Sequence, residues 1–552
     1  MKYLQFKELY ILILLSLILF FSSINYLPVL DRDEARYAQA SKQMIESSNY
    51  SSIKFQNEYR SKKPIGIYWL QALSVNLLAD IQKVNNDSNQ VVGGYIWKYR
   101  IISSITALLS VLFLYLLSKS IFGKREAFYG ALILACSLLF VAESHIAKTD
   151  SILVTLTILV MLTLLKYFLN HESAKSISNF LLLWGGLGLS ILIKGPILPI
   201  IFILSVLTIF IIKRDYKWFY VAKPFWGVIL MLLISLPWFL SISAEEQKNF
   251  LTESILHDFF GKVLGAQEKH GALPGFHFLG LWIFFFPFSI FLIPTFHYLK
   301  LNFKKNKYFF IFIWIAPSFL IMELVTTKLP HYVLPLYPAI AIIMGSVVSN
   351  LNINKKLFTS NIALLGYLIH FLASNGLIFL LYKAAKEFGD LNNLILISLL
   401  TVFILNNSTF IFLIKKNIKL CLFSIILLAN VFTGAAYFII LPSLEKIWVT
   451  QNIAYIINNR PYNNEKKTIA VLGYNEPSLV FELGTDIKIY KNIQPLIKDY
   501  SLYNYLLIEK KYFNKFNQIV NVKKLSYNVI EIIKGFNASK GEWVEVYILK
   551  NK

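Results

Sequence analysis

Lysines placed just before helix-opening prolines are the most regular chemical feature of this chain. They occur at three places, Lys63-Pro64, Lys194-Gly195-Pro196 and Lys328-Leu329-Pro330. A helix start offers free backbone N–H groups and the positive end of the helix dipole, and the lysine adds a full charge beside them. Three such starts on one face of a membrane suit a phosphate or pyrophosphate group held at the bilayer surface.

A decapeptide that begins at Asp31 carries the densest group of charges near the start of the chain. Asp31 and Glu34 have the spacing of a capping box, which predicts that a helix begins there. On that helix Asp33, Arg36 and Tyr37 are three and four residues apart and share one face. The alternative without a catalytic role is that Asp33 and Arg36, one helical turn apart, form a local ion pair at an interface.

Together, these lysines and acids suit the transfer of a group from a lipid-linked phosphate. As the bond to the transferred group breaks, negative charge grows on the phosphate oxygen, and cations already directed there stabilise it. The incoming acceptor needs a carboxylate to orient it, or to remove its proton if the acceptor is a hydroxyl. Asp33 is the first candidate for this carboxylate, and Glu34 and Asp150 are the next.

The composition indicates a membrane protein. The 552 residues are 56% hydrophobic and 15% charged, and the mean hydropathy is +0.57, which excludes a purely soluble chain. The net charge of +23 is explained by basic cytoplasmic loops rather than by nucleic-acid binding, since no basic surface domain with interleaved aromatics is visible.

About thirteen apolar blocks have the length needed to cross a bilayer as helices. They are 8–30, 99–121, 126–143, 150–168, 177–193, 196–212, 224–242, 276–299, 308–326, 331–350, 358–382, 392–415 and 418–440. The first is predicted to be an uncleaved anchor. With the N-terminus in the cytoplasm, the even-numbered connections carry roughly twenty basic residues and few acids, as the positive-inside rule requires.

This topology predicts that all the polar groups above meet on the outer face. The chain then divides into a transmembrane domain over 1–442 and an outer α/β domain over 443–552, for which four short β-type runs are visible. Outer loops are predicted over 31–98 and 243–275. The apolar run Ile67–Leu78 is too short to span and is predicted to lie in the outer interface.

At these residues the chain resembles the bacterial membrane glycosyltransferases of the aminoarabinose transferase (ArnT) and protein O-mannosyltransferase type, glycosyltransferase families 39 and 83. The resemblance covers about residues 10–345. Its motifs are Asp33-Glu34-Ala35-Arg36-Tyr37-Ala38, Lys63-Pro64 followed by Tyr68-Trp69, and Lys328-Leu329-Pro330-His331-Tyr332-Val333-Leu334-Pro335. It implies the GT-C fold, an α-helical polytopic membrane domain with a small C-terminal α/β domain.

The resemblance also implies an enzyme that uses a polyprenyl-phosphate-linked sugar on the periplasmic side of the bacterial inner membrane. The acceptor would be lipid A, core lipopolysaccharide or a related envelope molecule. The match puts Asp33 at the family's acidic position and Asp150 at a second one. The predicted donor-phosphate residues are Arg36, Tyr37, Lys63, Lys194, Lys328, His331 and Tyr332.

One run departs from the family pattern. Lys62-Lys63-Pro64-Ile65 lacks the acid that usually precedes the lysine and the second proline that usually follows it. If that acid helps to bind a divalent metal, the metal site lacks a ligand here, and His257 and His270 are the remaining candidate ligands. The extra lysine predicts a more acidic donor, such as a uronic acid.

Two other functions fit the same polar groups. A transporter or flippase of lipid-linked sugars would also hold phosphates at the membrane surface, and a protein O-glycosyltransferase would use the same kind of donor. Transporters bring ionisable groups to the bilayer midplane and show repeated halves. Here the polar groups collect at one edge, which favours a glycosyltransferase.

Overall fold

The chain folds into a helical domain and a smaller sheet domain. The computed structural model describes residues 2–78, 95–170, 172–253, 271–350, 360–459 and 467–551. The helices of the first domain are α1 Lys2–Phe21, α2 Asp33–Ser47, α3 Gly66–Leu77, α4 Trp97–Phe122, α5 Lys124–Cys136, α6 Leu138–Ser144, α7 Asp150–Leu169, α8 Ile177–Lys194, α9 Ile197–Lys213, α10 Pro224–Ser241, α11 Ala244–Phe250, α12 Phe276–Phe284, α13 Leu292–Asn302, α14 Asn306–Leu324, α15 Pro330–Ser349, α16 Asn361–Phe388, α17 Asn393–Ile414 and α18 Ile418–Ile440.

Nine helices of these described ranges are long and apolar enough to cross a membrane, and two bent pairs raise the number to eleven. The bent pairs are α5 with α6, at 62°, and Phe276–Phe284 with Phe288–Asn302, at 120°. The two other predicted spans coincide with α1 and with α9, which at 17 residues is short for a crossing. The prediction of a polytopic helical membrane protein is confirmed, whereas the total of thirteen spans stays a prediction.

Helices α7 and α15 form the centre of the membrane domain. Within their most apolar stretches 78% and 89% of the residues are buried, against 17% in α10. Helix α15 crosses α5 at close range, because a Cβ added at Gly345 would collide with the Gly130 backbone. The central helices therefore have few side chains left for lipid, and their ends are held in place by packing on all sides.

The predicted interfacial run is a helix, α3, which packs between α2 and α4. Its start lies against the end of α8, where a Cβ at Gly66 would meet the Leu192 carbonyl oxygen at 2.7 Å. Two of the lysine-proline motifs are thereby brought next to each other. Beside α3, the short strands β1 Lys54–Phe55 and β2 Glu58–Tyr59 form an antiparallel pair.

The C-terminal domain is built on one five-stranded mixed sheet. Its elements are α19 Val449–Asn458, β3 Ile469–Leu472, α20 Pro477–Leu483, β4 Lys488–Tyr490, α21 Ile493–Lys498, β5 Tyr505–Glu509, α22 Lys510–Val522, β6 Tyr527–Asn537 and β7 Glu542–Asn551. The strand order is β4-β3-β5-β7-β6, with β3 parallel to β4 and β5 and with β7 antiparallel to β5 and β6.

The four β-type runs of the sequence correspond to β3, β4, β5 and β7, and the small α/β domain is confirmed. Strand β6 was not predicted. It lies at the edge of the sheet, most of its residues are exposed or only partly buried, and a bulge between Val529 and Glu531 interrupts its pairing. It therefore lacks the alternation of apolar and polar residues that identifies a half-buried strand.

The sheet domain docks on α2. Lys42 Nζ donates a hydrogen bond to the Phe481 carbonyl oxygen at 3.1 Å, and Gln39 Nε2 donates one to Thr485 Oγ1 at 2.8 Å. At the start of α2 the Arg32 guanidinium donates to the Ser539 carbonyl oxygen. The C-terminal domain therefore helps to hold the helix that carries Asp33.

The pKa of Asp31 in this interface is raised to about 6, by burial first and by the negative charge of Glu476 second. Since the folded state then takes up a proton more readily than the unfolded state, folding stability increases as the pH falls from 7 to 5. We expect Asp31→Asn to raise the melting temperature in detergent at pH 7 by roughly 1–3 °C and to reduce this pH dependence. A thermal melt of the variant against Asp390→Asn, a change at an exposed loop, checks the expectation. A lower melting temperature for Asp31→Asn at pH 7 would contradict it.

Candidate active site

Helix α2 begins at Asp33, and the cap differs from the predicted capping box. Arg32 occupies the N-cap position with φ 65°, and no side chain caps the helix. Glu34 Oε2 instead accepts a hydrogen bond from the Leu30 backbone N–H at 2.8 Å, and Asp31 is directed towards Ser478 of the C-terminal domain. The capping-box prediction is therefore wrong, although a helix does begin at this place.

Glu34 is the centre of a buried network. The Arg100 guanidinium donates to both carboxylate oxygens, Nε to Oε1 and Nη2 to Oε2, each at 2.8 Å. The backbone N–H of Ala147 also donates to Oε1 at 2.8 Å. Arg100 uses its remaining donors on the carbonyl oxygens of Ile24, Leu27 and Pro28. With both oxygens occupied, Glu34 is suited to positioning α2 against α4, and this geometry does not favour Glu34 as a reacting group.

Asp33, one residue earlier, has the opposite environment. Its side chain is exposed, and it makes no hydrogen bond or ion pair within the described part of the chain. Burial by the surrounding walls acts to raise its pKa, but the positive charges of Lys148, Arg60, His331 and Lys63 outweigh it and lower the pKa to about 2. Asp33 is thus an ionised and accessible carboxylate within a ring of cations.

Arg60 forms the aromatic side of this ring. Its Nε donates a hydrogen bond to the Tyr68 hydroxyl at 3.1 Å, and its guanidinium lies 5.2 Å from the centre of the Tyr37 ring. The rings of Tyr37 and Tyr68 are 5.5 Å apart. Burial lowers the pKa of Arg60, but the charges and hydroxyls of Tyr68, Tyr37 and Asp33 raise it by more. Because the hydrogen-bond partner Tyr68 and the ring partner Tyr37 are neutral, they leave the positive charge of Arg60 uncompensated.

A second group of residues near Asp33 pairs acids with lysines. Lys194 Nζ lies 2.5 Å from Asp150 Oδ1, and Lys148 Nζ lies 3.4 Å from Glu143 Oε2. His331 Nδ1 lies 3.7 Å from Glu143 Oε1. Asp150, at the first position of α7, is therefore a member of an ion pair, which makes it less available than Asp33 to an incoming acceptor.

The remaining predicted phosphate residues differ in position. Lys63, partly buried, interacts electrostatically with Asp33, whereas Lys62 is exposed. Arg36 is partly exposed, and no side-chain partner for it exists among the residues that the structure describes. Tyr332 packs its ring against that of His331 at 5.2 Å.

Lys328 donates its hydrogen bond to the protein backbone. Its side chain is buried, and its Nζ donates a hydrogen bond to the Val325 carbonyl oxygen at 2.6 Å, near the end of α14. His331, three residues further along the chain, is one of the charged groups that lower the pKa of Asp33. All three lysine-proline motifs thus contribute a residue near the acids: Lys63 near Asp33, Lys194 beside Asp150, and His331, which follows the third motif, near Glu143.

Arg60, Lys148 and Glu143 are site residues that the sequence-based set omitted. Glu143 and Lys148 interrupt an apolar segment between two spans, a signal that could have identified them. Arg60 lies in a polar loop with Lys62 and Lys63, and nothing in the local sequence separates it from its neighbours.

The side chains of the described residues do not form a favourable binding site for a divalent metal ion. His257 and His270 lie outside the described residues, and within the described ranges no group of three His, Cys, Asp or Glu side chains is close enough to hold an ion. The acids of the site alternate with Lys148 and Lys194, whose ammonium groups occupy places where a cation would need oxygen ligands.

An apolar groove of about 700 Å³ runs along α12, α13 and α14. Gly275 and Glu323 line one end, and Lys300 and Phe303 line the other. Glu323 accepts hydrogen bonds from the backbone N–H groups of Gly275 and Phe278, which closes the first turn of α12. The rest of the lining is almost entirely apolar, so the groove suits a hydrocarbon chain.

Comparisons with known proteins agree with the resemblance seen in the sequence. A family model described as dolichyl-phosphate-mannose-protein mannosyltransferase matches residues 62–240. A relative from Pseudomonas fluorescens, named undecaprenyl phosphate-alpha-4-amino-4-deoxy-L-arabinose arabinosyl transferase 2, is 23% identical over 68% of this chain and 66% of its own length. A similarly named transferase from Wigglesworthia glossinidia brevipalpis is 27% identical over 60% of this chain and 57% of its own length.

Among solved structures, ArnT from Cupriavidus metallidurans has a TM-score of 0.71, with 15% identity over 98% of this chain and 97% of that one. The same protein bound to undecaprenyl phosphate gives equal values. The oligosaccharyltransferase of Archaeoglobus fulgidus has a TM-score of 0.54, with 13% identity over 93% of this chain and 70% of that one. The chain therefore has the fold of these membrane glycosyltransferases, and the predicted resemblance to the aminoarabinose transferase type is confirmed.

Proposed function

We propose that this protein is a glycosyltransferase that moves a sugar from a polyprenyl-phosphate donor to lipid A, core lipopolysaccharide or a related envelope acceptor. The observation that carries the proposal is the contrast between two adjacent acids. Glu34 is buried and fully hydrogen-bonded, whereas Asp33 is accessible, unpaired within the described residues and surrounded by cations. The relatives named as undecaprenyl phosphate-aminoarabinose transferases support the choice of a polyprenyl-phosphate-linked donor.

The donor phosphate would bind between Arg60 and Lys63. Lys148 and Lys194 are neutralised by Glu143 and Asp150, so they contribute less charge to a bound anion. Arg60 is held by Tyr68 and Tyr37 without losing its charge, and its guanidinium can donate two parallel hydrogen bonds to phosphate oxygens. As the bond between sugar and phosphate breaks, the same donors stabilise the charge that grows on the phosphate.

Asp33 would act on the acceptor. In the free site the surrounding cations keep its pKa near 2, which makes it a weak base. A bound phosphate places negative charge beside Arg60 and Lys63, offsets part of their effect and raises the pKa of Asp33. Asp33 then accepts the proton of an acceptor hydroxyl more readily once the donor is in place, and it orients an acceptor that is already ionised.

The apolar groove along α12, α13 and α14 would hold the polyprenyl chain. Its volume of about 700 Å³ and its apolar lining suit an isoprenoid tail that remains within the membrane domain. The Gly275 end of the groove lies beside the start of α12, next to Glu323. The tail could therefore enter from the lipid while the phosphate stays at the polar surface.

The site and the C-terminal domain are proposed to face the periplasm of a bacterial inner membrane. The support is the charge pattern of the connections, in which Lys and Arg are concentrated on the side opposite the Asp33 site.

Arg60→Gln tests the phosphate site. Because a hydrogen bond to a charged group is worth more than one between neutral groups, we expect the variant to bind undecaprenyl phosphate about 10- to 100-fold more weakly. Arg60→Lys, which keeps the charge but loses the paired donors, should give an intermediate loss. Equilibrium binding in detergent is the measurement.

Arg214→Gln is the matched control, since Arg214 is an exposed arginine at the end of α9, on the opposite face of the membrane domain. Equal affinity for Arg60→Gln and this control would remove Arg60 from the donor site.

A further inference from the structure

A second, strongly basic cavity of about 670 Å³ opens on the other face of the membrane domain. Its cationic lining residues are Arg125, Lys415, Lys416 and Lys419. All four are exposed, and within the described ranges none of them has an ion-pair partner. The cavity therefore concentrates positive charge in a concave place without internal compensation.

The directions of three helices place this cavity away from Asp33. Helix α5 begins beside it, and its continuation α6 ends at Ser144, next to the Lys148 wall of the active site. Helix α15 begins beside His331 and ends at Ser349, which lines the cavity. Helix α18 begins at the cavity and ends just before the C-terminal domain. The cavity and the Asp33 site thus lie at opposite ends of the same helices.

Two acids among the described residues lie near the start of α5, and both are engaged with other groups. Glu8 accepts a hydrogen bond from the Tyr115 hydroxyl at 2.6 Å and lies 3.3 Å from Lys124. Glu126 folds back over the backbone of Gly123, where an added Cβ would meet its carboxylate. Four cations held together in this way repel each other, and an anion in the cavity would relieve that repulsion.

The rim of the cavity is apolar on one side. Ile418 and Leu422 line it, and Leu420 and Phe423 of the same helix are exposed on the lipid-facing surface. A ligand with an anionic headgroup and hydrocarbon tails would form ion pairs with the basic residues and apolar contacts with the rim. A soluble anion would make only the ion pairs. We propose that this cavity binds the headgroup of an anionic glycerophospholipid of the adjacent leaflet, with its acyl chains along α18.

The test uses the full-length protein and a charge-removing variant, Lys415→Gln/Lys416→Gln/Lys419→Gln. Native mass spectrometry in detergent with an equimolar mixture of phosphatidylglycerol and phosphatidylcholine would measure the lipid adducts. Since each lysine that lies beside a bound anionic headgroup strengthens its binding by about five-fold, the loss of three cavity lysines should weaken phosphatidylglycerol binding by on the order of 100-fold. Phosphatidylcholine adducts should not change.

The matched control is Lys217→Gln/Lys223→Gln/Lys304→Gln, three exposed lysines in loops of the same membrane face. It removes the same charge but should keep phosphatidylglycerol binding within about two-fold of the unchanged protein. Equal losses in both triple variants would overturn the proposal, because the effect would then come from net charge alone.

A second measurement covers the case in which the triple variant fails to fold. Both native cysteines are buried, so a fluorophore attached at Ser349→Cys labels only the cavity. Short-chain phosphatidylglycerol should change its emission at a concentration at least ten-fold below that needed for phosphatidylcholine. Equal responses to the two lipids, or the same response to inorganic phosphate as to phosphatidylglycerol, would overturn the proposal of an anionic lipid site.

Discussion

Asp33→Asn should abolish most sugar transfer while leaving the protein folded. The amide keeps the size of the side chain but can neither accept a proton nor carry the charge that orients the acceptor. Loss of such a group lowers the rate by about 10²- to 10⁴-fold. The surrounding cations lower the pKa of Asp33 and so stabilise its ionised form in the folded state, but Asp33 is exposed and makes no hydrogen bond within the described residues, so its replacement should lower the melting temperature by only about 1–3 °C. The measurement is turnover of a polyprenyl-phosphate-linked sugar by purified protein, with a thermal melt of the same preparation.

Asp390→Asn is the control for this experiment, since it is the same chemical change at an exposed loop between α16 and α17. It should keep full activity. Undecaprenyl phosphate should still bind to Asp33→Asn, because the proposed phosphate ligands are Arg60 and Lys63. Unchanged transfer by Asp33→Asn would contradict the catalytic assignment, and altered lipid translocation with an unchanged glycan product would favour a transporter.

Glu34→Gln should instead destabilise the whole site. Glu34 is 1% exposed and accepts two hydrogen bonds from Arg100 and one each from the Leu30 and Ala147 backbones. The neutral amide would leave the Arg100 charge buried without its counter-ion, a change that costs about 3–5 kcal/mol. We expect a lower melting temperature and a lower yield of folded protein, with activity lost in proportion.

Glu58→Gln, an exposed glutamate in the same outer loop, is the matched control and should behave as the unchanged protein. The two variants would then differ in kind: Asp33→Asn would be inactive but folded, and Glu34→Gln would be strongly destabilised. If Glu34→Gln were as stable as the unchanged protein and yet inactive, Glu34 would be a reacting group and its proposed structural role would be wrong.

The membrane architecture could be predicted because its determinants are local. An apolar block of sufficient length forms a helix wherever it lies, and each predicted block coincides with a helix or a bent pair. The prolines at positions 64, 196 and 330 stand within two residues of the starts of α3, α9 and α15, as the sequence predicted. In the C-terminal domain, the four strands with apolar runs were found and the exposed edge strand β6 was not.

The division of roles within the site could not be predicted, because it depends on long-range partners. Glu34 and Asp33 are neighbours in the sequence, and only the approach of Arg100, 66 residues further along the chain, separates a structural acid from an accessible one. Asp150 is paired with Lys194 across two spans. Arg60 joins the site through Tyr37 and Tyr68, contacts that no spacing rule would indicate.

The most direct test is a cryo-electron microscopy structure of the protein with undecaprenyl phosphate bound. The proposed function predicts phosphate oxygens within about 3 Å of the Arg60 guanidinium and the Lys63 ammonium, with the Asp33 carboxylate facing the same space and the isoprenoid chain in the groove along α12 to α14. A phosphate bound on the opposite membrane face, or one held away from Arg60 and Asp33, would contradict it.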